Sequence, residues 1–297
     1  MTVASVPMDL CDEVRAHCAE IAGRARWVRI EPDAPVEPGG TAGLDPALHL
    51  LDAAPEAVAR YVLILDAINF GSGWFGTLRT DPGEDDLTTI TRRLTEHERA
   101  GEPWTATQLR ALDAAQVAHV LGQDPGHELM ELYARALVDL GGWLGARGAL
   151  EAIEAEGGRS APRLAAALAA EMPFFADRGF YKRAQITAND LALAGVVRFA
   201  DADRLTIFAD NLVPHVLRVD GMLAYAPELA AKIDAGEELP SGSEMETELR
   251  ACAVHACELL AQRWGVAPRV LDNWLWNRGQ GEPYTRSRPH RTRTVFY

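Results

Sequence analysis

In His127–Leu144 the apolar side chains Leu129, Leu132, Tyr133, Ala136, Leu137, Leu140 and Leu144 recur at steps of three and four, the spacing that lines one face of an α-helix. Segments 9–22 and 108–121 repeat the pattern, and Arg163–Ala170 is rich in alanine, the strongest helix former. Ser243 stands three residues ahead of Glu246 and opens the long periodic run Leu249–Trp264, so a capped helix is expected there, closed by Pro268. Strand signals are few. Trp27–Ile30 and Val295–Tyr297 read as extended, while Tyr61–Leu65 is apolar without alternation and fits either a buried helix turn or a strand. The expectation is a mainly α chain with few short strands. The Gly- and Pro-rich loops at 31–43, 71–76, 81–86, 156–162 and 278–283 lack the length of interdomain linkers. Residues 1–297 are therefore read as a single compact helical domain, any seam between packed halves falling near Gly157.

Composition narrows the function classes. The chain is 48% apolar and 24% charged, as expected of a globular protein. No stretch approaches the roughly 18 apolar residues of a membrane span, and the first residues carry acids where a secretory leader is basic. A cytoplasmic location and no membrane partner are expected. The net charge of −14 disfavours a duplex nucleic-acid partner, which calls for a basic stripe. Arg286–Arg293 is the exception, with four arginines, His290 and no acid. Such a segment either grips phosphate or folds over an acidic face. The cysteines fall as Cys11/Cys18 and Cys252/Cys257, neither a CxxC pair, and read as small core residues. Without a GxGxxG, Walker, HExxH or GxSxG arrangement, no cofactor and no metal are expected.

The chemistry concentrates in four segments. Phe199–Pro214, FADADRLTIFADNLVP, sets Asp201, Asp203 and Asp210 among apolar residues. A buried carboxylate is costly unless paired, so these acids form either a structural network or a site for a cationic or hydroxyl-rich ligand. In Asp66–Phe75, DAINFGSGWF, Asn69 can cap the preceding segment or orient a ligand, and Phe70, Trp74 and Phe75 can stack on a ring or fill the core. In Phe180–Asp190, FYKRAQITAND, Lys182 and Arg183 interrupt an apolar approach; a lysine facing inward needs an anion, and a ligand phosphate would supply one. In Leu271–Asn277, LDNWLWN, Asp272 and Trp276 share a helix face. An aspartate beside indoles can hold a cation or a diol, or simply cap a helix beside core tryptophans. His49, in DPALHLL, reads first as a satisfied core histidine.

Taken together, these segments resemble the queuosine salvage proteins, the queuosine 5′-phosphate N-glycosylase/hydrolases. The resemblance is carried by INF…WF (Ile68–Phe75), FYKRAQI (Phe180–Ile186), LTIFADNLVP (Leu205–Pro214), LRVDGMLAY (Leu217–Tyr225), LPSGSEMETELRA from Leu239, LDNWLW (Leu271–Trp276) and the final PHRTRTVFY. Order and spacing agree from about Asp45 onward. Departures fall at Asn211, Leu212 and His215, where the family usually reads FADY-R-VPQ, and at Asn277, often an aspartate. The resemblance implies a fold similar to helical DNA glycosylases and hydrolysis of the N-glycosidic bond of queuosine 5′-monophosphate, a small-molecule nucleotide, to release queuine. It leaves the oligomeric state open. Asp210 is the expected carboxylate at the sugar, with Asp201 its rival. Asp201, Asp272 and His49 suit the amine and diol of the base. Phe199, Trp74 or Trp276 suits stacking, and Lys182 suits the 5′-phosphate, with Arg183 or the late arginines as alternates. Asn69, Asn273 and Asn277 complete the expected set. Two other readings stand beside it: a glycosylase acting on a base within nucleic acid, and a non-catalytic helical binding protein for a modified nucleotide.

Overall fold

The Asp9 carboxylate accepts the amide of Asp12 (3.0 Å) and starts α1 (Leu10–Arg24), which buries Cys11, Val14 and Cys18. The computed structural model describes residues 9–101 and 103–297. The first eight residues, part of the segment read as carrying no leader, lie outside them. Then follow β1 (Val28–Ile30), α2 (Pro55–Ala67), α3 (Asp86–Arg99), α4 (Ala106–Leu109), α5 (Ala114–Leu121), α6 (Glu128–Leu144), α7 (Ala149–Gly157) and α8 (Ala161–Glu171). The second half holds α9 (Lys182–Leu193), α10 (Leu212–Val219), β2 (Leu223–Tyr225), α11 (Pro227–Asp234), α12 (Glu244–Trp264) and α13 (Pro268–Gly279). Thirteen α-helices and one antiparallel pair, β1 with β2 in the register Val28↔Tyr225, make the described residues mainly α, as expected. No helix among them is long and apolar enough to cross a membrane.

Four local expectations are refined. Segment 108–121 is two helices, because Thr105 and Asp113 each build a capping box, with Gln108 and Gln116, and so start separate turns. Tyr61–Leu65 is helical, part of α2, which is buried on nearly every side between α6, α7 and α9. Ser243 does cap α12, accepting the Glu246 amide at 3.4 Å, but the helix ends at Gly265, whose φ of 64° suits a residue without a side chain. Pro268 instead opens α13, where its missing N–H costs nothing. Val295–Tyr297 joins no strand.

The arginine-rich final segment is built into the body. Thr292 is fully buried, the Gly71 amide donates to the Tyr297 carbonyl (3.0 Å), and Arg291 Nε donates to the Gly73 carbonyl (2.7 Å). A side chain at Gly73 would meet the Thr292 carbonyl at 2.2 Å, so glycine permits this approach. Arg293 lies 3.5 Å from Glu238 and 3.9 Å from Glu128. Of the two expectations for this segment, folding over an acidic face is the one realised by Arg293, while Arg291 is held by a backbone carbonyl. All four cysteines are buried free thiols.

Candidate active site

Lys182 is the first residue of α9, and the backbone before it is under constraint. Tyr181 holds a left-handed φ of 50°, costly for a residue with a side chain. Its amide donates to the Asp177 carbonyl (2.6 Å), and the Lys182 amide reaches Asp177 Oδ2 (3.4 Å). Arg183 turns the other way, into the end of α2. It is fully buried, with Nη1 donating to the carbonyls of Ala67 (2.6 Å) and Asp66 (3.4 Å), Nη2 donating to Phe174, and its guanidinium near the rings of Phe70 (4.5 Å) and Phe175 (4.7 Å). A cation at a helix C-terminus is favourable, and this one fixes where Asp66 sits.

Around Lys182 stand Asp66 from α2, Asp190 from α9, Asp210 from the loop into α10, and Asp272 from α13. Asp210, Asp66 and Asp272 act on the lysine, and Lys182 acts in turn on all four acids. Lys182 is 5% exposed; its ammonium donates at 3.5 Å to the Asn69 carbonyl and, among the described residues, closes no salt bridge with an acid. Burial lowers its pKa, against the pull of the carboxylates. Among the described residues no three His, Cys, Asp or Glu side chains converge closely enough to hold a metal ion. The acids are therefore spread around the lysine.

The carboxylates fall into two pairs. Asp210 Oδ1 accepts the amides of Leu212 (2.8 Å) and Val213 (3.0 Å), and Asp272 Oδ1 accepts the amide of Phe208 (2.8 Å). Burial raises both pKa values. For Asp210, Lys182 and the two amides oppose the rise; for Asp272, the charge of Asp210 adds to it and pushes it well above the carboxylate range. Across the lysine, Asp190 Oδ1 accepts from Asn189 Nδ2 (3.1 Å). Burial, then the charge of Asp66, raises Asp190 well above its ordinary value. Asp66 is sealed: it is 0% exposed, and neither of its oxygens has a partner among the described residues. Asn69 and Thr187 lie beside it and favour its charge, but Thr187 Oγ1 donates to the Arg183 carbonyl (2.9 Å) instead. Burial lifts Asp66 to about 7. Among the described residues nothing donates to Oδ2 of Asp190, Asp210 or Asp272, and these oxygens are not sealed as those of Asp66 are. The result is a buried cluster in which three carboxylate oxygens accept no hydrogen bond among the described residues and one ammonium closes no ion pair with an acid.

The expected site residues divide. Asp210, Asp272 and Lys182 come together, and Asn69 joins them through its carbonyl. Trp276, one turn beyond Asp272 on α13, is half-buried and stands outside the apolar core. Asp201 is not brought in. Its Oδ2 accepts Ser160 Oγ (2.6 Å) and its Oδ1 the Ala161 amide (2.8 Å), so both oxygens anchor the start of α8. Asp203 is exposed and pairs with Arg269 (2.7 Å). Trp74 is buried, its indole N–H on Glu128 (2.8 Å) and its ring near the Arg293 guanidinium (5.8 Å). His49 faces the Asp45 carbonyl (3.0 Å), and burial lowers its pKa. Phe199 packs against the core. Asn273 donates to the Arg269 carbonyl (2.7 Å), and Asn277 donates to the carbonyls of Asn273 (2.8 Å) and Thr41 (3.0 Å). A cleft of about 660 Å³ beside β1 and β2, lined by Trp27, Tyr225 and His255, contains no carboxylate and offers nothing to a sugar cation.

The family described as queuosine salvage protein matches residues 48–297, which include all four carboxylates and Lys182. The chain belongs to the queuosine salvage protein family. It is similar to a queuosine 5′-phosphate N-glycosylase/hydrolase of Sphaerobacter thermophilus, 35% identical over 273 residues that cover 84% of each chain. A protein of the same name from Dictyostelium discoideum is 40% identical over 134 residues, 40% of each chain. Its Mus musculus counterpart is 31% identical over 171 residues, 47% of this chain and 49% of the relative.

The departures from the family pattern in Asn211 and His215 face the final segment. Asn211 donates to the His290 carbonyl (3.3 Å), and the His215 ring meets the Tyr284 carbonyl (2.9 Å). Sequence reasoning missed Asp66 and Asp190. Both lie inside segments singled out above, and Asp66 follows the apolar run Tyr61–Leu65, the same signal that pointed to Asp210. Lys182 heads the groups that hold the Asp210 pKa down. Removing that positive charge disfavours the ionised carboxylate and raises its pKa. In Lys182→Met the acid limb of the kcat/KM profile is expected to move up by about one pH unit or more. A profile superimposable on the wild type would free Asp210 from Lys182.

Proposed function

We propose that this chain hydrolyses the N-glycosidic bond of queuosine 5′-monophosphate and releases queuine. The observation that carries the reading is Asp210, held by two backbone amides through one oxygen while the other accepts no hydrogen bond among the described residues. Breaking the bond from ribose C1′ to the base builds positive charge on the sugar. A preorganised carboxylate in a low-dielectric setting stabilises that charge or takes a proton from the attacking water. The base carries carbon where a purine has N7, so protonation at that position is closed to it, and more of the barrier rests on the sugar side.

Asp272 supplies the complementary role. Neighbouring carboxylates with pKa values pushed apart mark an acid and a base. Asp210 is favoured as the ionised partner by Lys182 and two amides. Asp272, with one amide and the Asp210 charge beside it, keeps its proton and can give it to the departing base. Lys182 is assigned to the acids, Asp210 being the charge that acts on it most strongly. Trp276 is the stacking surface for the base.

The test is direct. The protein is incubated with queuosine 5′-monophosphate, and queuine and ribose 5-phosphate are separated by chromatography. Equimolar appearance of both supports the reading. Binding without turnover would leave a non-catalytic nucleotide-binding protein in its place.

A further inference from the structure

Gln185 lies in the first turn of α9 and is fully buried. A buried amide is tolerated when its groups are paired, and these are. Nε2 donates to the Phe180 carbonyl (2.9 Å) and to Thr206 Oγ1 (2.9 Å), while Oε1 accepts the Thr206 amide (3.0 Å). Thr206 Oγ1 is free to accept because it donates in turn to the Ile207 carbonyl (2.9 Å). One side chain thus ties the turn ahead of α9 to a stretch of chain that begins 21 residues after it. Both ends need holding. The turn contains Tyr181, whose left-handed φ of 50° persists only where the surroundings over-determine it. The stretch Thr206–Asp210 belongs to no helix or strand, and among the described residues none of its amides donates to a backbone carbonyl. Side chains place it instead: Gln185 at Thr206 (3.0 Å), Asp272 at Phe208 (2.8 Å) and Arg250 at Ala209 (2.9 Å).

The turn presents Lys182, and the stretch ends in Asp210. We propose that Gln185 is a positioning residue for the glycosidic step, a bracket that fixes Lys182 relative to Asp210 by holding Phe180 and Thr206 together. The inference rests on the hydrolase reading of this site. Gln185 touches no reacting atom and acts through the two residues whose backbone it registers. Asp210 is faced by Lys182 from α9, Arg250 from α12 and Asp272 from α13. Of these, Lys182 alone stands on the helix that carries Gln185. A slip of α9 against the stretch therefore disturbs the relation of Lys182 to Asp210 first, and a misplacement of about 1 Å is enough to cost about 100-fold in rate.

Gln185→Met keeps the length of the side chain and removes its polar contacts. Thr206→Val removes only the Oγ1 end of the bracket and serves where the first variant does not fold. With queuosine 5′-monophosphate, kcat is expected to fall by about 10- to 100-fold in Gln185→Met and by less in Thr206→Val, with little change in KM. The acid limb of the kcat/KM profile should move up, the direction expected for Lys182→Met. In a Lys182→Met background, Gln185→Met should lower kcat by no more than about twofold, because the group it positions is gone. A glutamine with a merely structural role would lower the melting temperature, leave the acid limb in place and cost the same kcat in both backgrounds; that pattern would overturn the proposal. The Asp210 pKa can also be followed without turnover, through the NMR shift of its carboxyl carbon, and should rise in either variant. An unchanged value in a folded variant would equally overturn the bracket. If wild type releases no queuine, the hydrolase reading fails, and this titration still decides whether Gln185 fixes Lys182 relative to Asp210.

Discussion

Asp210→Asn is expected to lower turnover of queuosine 5′-monophosphate by about 100- to 1,000-fold, the usual loss when one preorganised electrostatic contact to the transition state is removed. The amide keeps the shape of the carboxylate, and its oxygen can still accept the amides of Leu212 and Val213, which it meets at 2.8 and 3.0 Å. What disappears is the negative charge. The effect should therefore fall on kcat, with little change in KM. Stability should move the other way. Burial raises the Asp210 pKa above its unfolded value of 3.8. A carboxyl of this kind favours the fold fully below its unfolded pKa, and that contribution is lost as pH rises through the folded value. At pH 7–8 an ionised Asp210 weighs against folding, so the asparagine variant should melt at the same temperature as wild type or higher. Single-turnover kinetics and thermal denaturation on one preparation decide the matter. Turnover within threefold of wild type would remove Asp210 from the chemistry. A lowered melting temperature would make it part of a structural network.

The helices were largely legible, because a 3.6-residue apolar repeat and capping side chains are local properties of the chain. His127–Leu144 is almost α6 itself, and Ser243 opens α12 as its spacing with Glu246 implies. The misread boundaries have local causes too, such as a second capping box at Asp113 inside an otherwise continuous pattern. The site was legible in part. An acid among apolar neighbours pointed to Asp210, but the same argument was extended to Asp201, which precedes the short turn Ala202–Arg204 and meets Ser160, and to Asp203, which lies within that turn, exposed, and meets Arg269. Its strongest instance, Asp66, went unnamed. Asp66 and Asp190 lie on α2 and α9, and no local pattern states that those two helices pack side by side. Nor does any pattern state that Lys182 stands among protein carboxylates. Motifs marked the segments, and only the packing of distant helices says which of their acids meet.

The largest expected effect on stability belongs to Arg250 on α12. It is 3% exposed, donates to both oxygens of Asp177 and lies 3.4 Å from Glu246. Burial alone would lower its pKa, but Asp177 and Glu246 more than reverse this and hold it above the ordinary guanidinium value. Its guanidinium lies 4.0 Å from the Phe180 ring centroid and 4.5 Å from that of Tyr297, whose hydroxyl donates to Glu246 (2.8 Å). Arg250→Met keeps most of the stem and removes the charge, leaving Asp177 and Glu246 buried without a counter-ion. Breaking such a pair costs about 3–5 kcal/mol, a large share of the stability of an ordinary domain. Urea unfolding at pH 7 should show a correspondingly lower midpoint. Neutralising the stranded acids as well, in Arg250→Met/Asp177→Asn/Glu246→Gln, should recover most of the loss, since an uncharged set is not penalised for burial. Recovery of stability need not restore turnover. Arg250 Nε also donates to the Ala209 carbonyl (2.9 Å), next to Asp210, and Asp177 holds the turn that presents Lys182. The triple variant should therefore fold and remain slower than wild type. If it matched wild type in both stability and turnover, the network around Arg250 would have no part in aiming Asp210.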